Sequence, residues 1–131
     1  MEPSEFLQYT ITHYNANNRS HGIANSVNSC TYCPSSPNSK GCAIGQHLST
    51  ETQIFFDNQK KPIKILAKEY GELLPLWMQK MSISFLQDIQ SLHDRKECWD
   101  ENGITNAGWN RVAVIKDTYK QYKINITIPH T

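Results

Sequence analysis

The clearest regularity in the chain is the recurrence of apolar side chains every three to four residues in its C-terminal half. From Ser82 to His93, the side chains Phe85, Leu86, Ile89 and Leu92 fall in one sector of a helix turning about 100° per residue. His93 lies just inside the edge of that sector, and Gln90 and Asp94 sit on the flank leading to solvent. Further on, Val112, Ile115, Tyr119 and Tyr122 repeat at i, i+3, i+7 and i+10, behind Thr105 or Asn106 as a helix cap. Near the start, Phe6, Leu7, Thr10, Ile11 and Tyr14 predict a helix from about Pro3 to Asn15, with Pro3 in its first turn and Glu2 and Glu5 at the positive end of its dipole. Ile63, Leu66 and Ala67 predict another from Pro62 to a stop at Gly71, and Leu73 to Met81 reads as a short helix or turn carrying Trp77. Thr50 to Asn58 fits no single period, and its Ile54-Phe55-Phe56 run reads as an apolar anchor.

Elsewhere the periodicity fails. Asn15 to Asn28 is rich in Asn, Ser and Gly, and Pro34 to Gly41 is turn chemistry, with a short β-compatible stretch, Ser29 to Cys33, between them. Cys42 to Leu48 is compatible with a short helix, and Glu97 to Asn106 reads as a loop holding Cys98 and Trp99. Lys123 to Ile128 alternates polar residues with Ile124, Ile126 and Ile128, which predicts a terminal strand. The expectation is one compact, mainly α domain over residues 1–131, with α+β left open. Its parts are an N-terminal helix (1–17), a Cys/Gly region (18–48) forming an irregular loop or short hairpin, a helical core (62–122) and a C-terminal strand or tail (123–131).

Charge narrows the function classes. Thirteen Lys and Arg against twelve Asp and Glu give a formal net charge of +1, so no global field draws the chain to nucleic acid or anionic membrane. Lys60, Lys61, Lys64 and Lys68 form the one basic cluster and read as a solvated helix face. Met1-Glu2-Pro3-Ser4-Glu5 has neither the basic flank nor the apolar run of a signal peptide, and no apolar stretch reaches the ~18–20 residues of a membrane span. The expected location is the cytoplasm, where thiols stay reduced.

Three chemistries compete for the cysteines and histidines. Cys30-x-x-Cys33 has metal-knuckle spacing, and Cys42, His47 or Cys98 can complete a tetrahedral zinc site; no second tight pair accompanies it, so the simpler reading is thiols at a turn and in the core. Cys42 at a helix start, with His93 and Asp94 or Gln90, has the composition of a cysteine nucleophile and its base. Adjacent His93 and Asp94 also fit a metal-dependent phosphohydrolase drawing on His13, His21, His47, Asp100 or Asp117, although neighbours on a helix diverge by about 100°.

The order Cys30-x-Tyr32, then Gly41-Cys42-Ala43-Ile44-Gly45, then Leu86-x-x-Ile89-Gln90-x-Leu92-His93-Asp94 and Trp99 resembles a group of small uncharacterised proteins of tailed phages and prophages. The likeness covers about residues 5 to 120. Cys33 stands where the group more often has Arg, and Gln46 where some members have another Cys, which weakens an obligatory metal site. The resemblance implies a non-enzymatic accessory protein of the host cytoplasm that counters defence by binding a host immune protein or sequestering a nucleotide signal. A small metal- or cysteine-dependent hydrolase and a zinc-stabilised interaction module are the alternatives. The expected ligand site comprises Tyr32, Gly41, Cys42, Gly45, Gln90, His93, Asp94 and Trp99 where the loop meets the helix, with no catalytic residue and no resident cofactor. The competing expectation is that these residues staple the loop to the helix by buried hydrogen bonds. The C-terminal segment is a candidate for homodimerisation or for pairing with a partner's sheet edge.

Overall fold

A computed structural model describes residues 1–18, 32 and 42–129. Among these residues the architecture is mainly α, with six α-helices and one two-stranded hairpin. Helix α1 (Pro3–His13) starts at Glu2 through a capping box: Glu2 N donates to Glu5 Oε1 at 3.0 Å while the Glu2 side chain accepts from the backbone of Glu5. It buries Phe6, Leu7, Thr10 and Ile11, as its apolar spacing predicts. Ser49 caps α2 (Thr50–Gln59), Pro62 precedes α3 (Ile63–Tyr70), and Pro75 precedes the single turn α4 (Leu76–Gln79). Ser82 caps α5 (Ile83–Asp94) by accepting from Phe85 N at 3.2 Å, and Thr105 does the same for α6 (Asn106–Thr118) through Gly108 N.

Helix α5 is the central element. It packs against α3, α6 and α1, and its Phe85, Leu86, Ile89 and Leu92 join one continuous core with Phe6, Leu7, Ile44, Phe56, Ile63, Leu66, Met78, Val112 and Ile115. Tyr119 and Tyr122 stack at 5.8 Å beside Phe85, completing the face predicted for the last helix.

Four segments differ from the expectation. Thr50–Gln59 is a full helix in which Phe56 is buried while Ile54 is 51% exposed, so the apolar run is no single anchor. Glu97–Asn106 is an ordered hairpin: β1 (Trp99–Asp100) pairs antiparallel with β2 (Gly103–Ile104), Trp99 opposite Ile104. Cys42–Leu48 forms a turn and one 3-10 segment (Gly45–His47) instead of an α-helix. Residues 123–129 form no strand. The alternation there has another cause: Ile124 and Ile126 are buried in the protein's own core, Lys116 Nζ donates to Ile126 O at 2.8 Å, and Asn125 N donates to Ser4 Oγ at 2.9 Å. Inward isoleucines and tied backbone groups leave this segment poorly suited to the dimer-forming strand expected of it. None of the helices among the described residues is long and apolar enough to cross a membrane.

Candidate functional site

Within the described residues, the turn after Cys42 meets α5 through a chain of hydrogen bonds centred on Gln90. Ile44 N donates to Gln90 Oε1 at 3.2 Å, tying the turn after Cys42 to the middle of α5 across 46 residues of sequence. The same amide donates through Nε2 to Asp94 Oδ1 at 3.0 Å, one turn further along the helix. That oxygen also meets His93 Nδ1 at 3.0 Å. Gln90 is 3% exposed and His93 fully buried, whereas the Asp94 side chain is 41% exposed at the helix end. The expectation that Gln90 flanks the helix on its solvent side is therefore corrected: a side-chain amide with both ends bonded is buried without a large desolvation cost.

The glycine and the aromatics follow the same logic. A Cβ at Gly45 would overlap the carbonyl oxygen of Tyr32 and stand 2.7 Å from its Cα, so the backbone that approaches this glycine is the chain's own. Tyr32 is held from three sides: its N donates to Asp57 Oδ1 at 2.6 Å, its hydroxyl donates to Lys61 O at 3.2 Å, and its ring meets Phe56 edge-on at 5.4 Å. Trp99 is buried, and its indole N–H donates to Leu92 O at 3.0 Å. Neither ring presents a face for stacking a nucleobase.

The thiol and metal candidates separate. Cys42 is fully buried, its Sγ accepts from Gly45 N at 3.1 Å, and it precedes a single 3-10 turn, so it lacks the α-helix dipole invoked for a reactive thiolate. Cys98 is buried. Cys30, Cys33, His21 and Gly41 lie outside the described residues. Among the described residues, no three metal-ligating side chains converge. Asp100 is bonded to Asn102 N and Asp117 pairs with Lys120. His47 is turned instead into an aromatic cluster, edge-on to Phe6 at 5.4 Å and Trp77 at 5.2 Å, and near Tyr9 at 5.2 Å. Its Nε2 is buried without a hydrogen-bond partner, and burial, reinforced by the nearby His13 and the N-terminal amine, pushes its pKa down to about 4.

Several contributors to this region carry no local sequence signal. Gln53 Nε2 donates to Gly45 O at 2.7 Å, Tyr9 donates to Gln46 Oε1 at 3.0 Å, and Gln46 Nε2 bonds the Tyr14 hydroxyl. The Tyr14 ring then meets His93 edge-on at 4.6 Å, joining α1 to the junction. A second feature lies elsewhere: an apolar groove of about 200 Å³ between α3, α4 and α5, lined by Ala67, Gly71, Leu74, Met78, Met81, Ile83, Leu86 and one polar residue, Gln79. The stretch that supplies Gly71, Leu74 and Met78 also presents Leu73 (40% exposed) and Leu76 (74% exposed) to water.

Comparison with protein-family models, with curated proteins and with solved structures returns no match.

Proposed function

We propose that this is a phage-type accessory protein that acts by binding, and that it counters defence by covering a surface of a host immune protein. One observation carries the choice of a protein target over a nucleotide: Gln90 and His93, the groups that would read a small ligand, are buried and bonded within the chain. A nucleotide site at that junction would have to break the bond holding Ile44 to α5, while the outer surface offers exposed leucines and lysines without such a penalty. Turnover is likewise disfavoured where the thiol and the imidazole are both sealed from solvent, because a reactive cysteine needs partial exposure.

The test is capture from a host lysate with the intact protein, followed by mass spectrometry of co-purifying proteins and small molecules. A stoichiometric protein partner whose activity is inhibited is the expected result. A nucleotide co-purifying without any protein, or hydrolysis of a phosphoester or amide lost on chelation or thiol alkylation, would overturn the reading.

A further inference from the structure

We infer that the groove between α3, α4 and α5 receives an acidic amphipathic segment of the partner protein, inserted by its apolar side chains. The inference rests on the binding reading above and gives it a surface and a partner chemistry. At about 200 Å³ the groove is smaller than the roughly 300–1,000 Å³ typical of small-molecule sites, and seven of its eight lining residues lack a polar side chain. Those are the dimensions and lining of a pocket for one or two side-chain anchors, such as an amphipathic helix presents at i, i+3 or i+4.

The rim supplies the charge argument. At about 100° per residue along α3, Gly71 lies ~40° from Ala67, Lys64 ~60° and Lys68 ~100°, all on the same side. The two exposed lysines therefore border the wall formed by Ala67 and Gly71, and Lys64 N, bonded to Gln87 Oε1 at 3.2 Å, ties that end of α3 to α5. Neither of these two lysines has an ion pair among the described residues, whereas Glu69 on the same stretch is held by Lys61 at 3.4 Å. Glu72 is the one other acidic residue between Ala67 and Met81. Two lysines without ion pairs along the α3 edge of an apolar floor favour carboxylates flanking apolar anchors and disfavour a basic segment.

Gly71 provides a plug. A Cβ there meets no atom within 4 Å and its φ is −56°, so Gly71→Leu adds bulk at the groove without a backbone clash or strain. The experiment is selection of a random 16-residue peptide display library on the intact protein, then titration of enriched peptides against wild type, Gly71→Leu and the pair Lys64→Glu/Lys68→Glu, with thermal melting of each variant. Expected are peptides with Asp or Glu beside apolar residues at helical spacing, at least tenfold weaker binding to Gly71→Leu, and a three- to tenfold loss with a flatter salt dependence for the lysine pair. Enriched peptides without that pattern, or bound equally by Gly71→Leu and the lysine pair, would overturn the inference. So would a wild-type dimer that Gly71→Leu makes monomeric, which would assign the groove to a second copy. Lysate capture separates the two levels: a protein partner held equally by wild type and Gly71→Leu removes the groove and leaves the inhibitor reading, whereas no partner for either removes the inhibitor reading itself.

Discussion

Two regions of this molecule invert the usual distribution of side chains. At the junction of the Cys42–Gly45 turn with α5, an amide and an imidazole are buried; along the Gly71–Gln79 stretch, leucines stand in water beside an apolar groove. At the first, Gln90 is bonded at both ends, to Ile44 N and Asp94 Oδ1, and His93 Nδ1 meets the same carboxylate. The second is not resolved by anything within the described residues. Buried polar groups and clustered exposed apolar ones are the informative departures, and here the internally bonded Gln90 reads as architecture and the exposed leucines as contact surface.

Substitutions can break this contrast. The largest effect should come from Gly45→Ala, whose methyl would overlap the Tyr32 backbone; we expect about 3 kcal/mol of lost stability in urea melts. A change below about 0.5 kcal/mol would mean that the turn is not clamped. Next is Gln90→Ala, which leaves the buried Ile44 N–H without its acceptor and should lower stability by about 2 kcal/mol. A fully stable Gln90→Ala that instead lost partner capture would return the junction to the status of a binding site.

The third effect is a pH dependence. The folded pKa of His47, about 4, lies below its ordinary value of 6.5, so the unfolded chain takes up this proton first. The stabilisation from neutral His47 is fully present above pH 6.5 and falls away as the pH drops toward 4. The full shift corresponds to roughly 3 kcal/mol, and partial exposure of the ring reduces the expected loss to about 1–2 kcal/mol. His47→Phe should flatten this part of the stability profile; an unchanged profile would show that other groups govern it. The smallest effect belongs to the outer surface: Leu76→Ser should move stability by less than about 0.5 kcal/mol while weakening partner capture. A large stability loss there would make the exposed leucine part of the fold after all.

Helical spacing made much of the fold legible. The inward set of α5 and α6 follows from apolar residues at three- and four-residue intervals, and Ser82 and Thr105 cap where a short oxygen-bearing side chain precedes such a run. Helix α2 was obscured because its buried set amounts to Thr52 and Phe56, with Ile54 exposed. The isoleucine alternation correctly marks Ile124 and Ile126 as inward-facing, but inward-facing side chains do not require a paired strand. Within the candidate site, the association of the Cys42–Gly45 turn with Gln90 and His93 was legible as a motif. The sense of Gln90 was not, because its burial depends on an N–H donated from 46 residues away. Tyr14 and Gln46 meet through tertiary packing alone, which neither residue's neighbours encode.

The bond from Asn125 N to Ser4 Oγ joins residues 121 apart in the chain, so it closes the widest loop among the described hydrogen bonds. Closing so long a loop for one exposed hydrogen bond is favourable only after α1 and α6 have already been brought together by the core. This corner is therefore expected to form late and reopen first, a fraying seam between the two ends of the fold. Amide exchange at Asn125 should outpace exchange at Ile44 if that order holds.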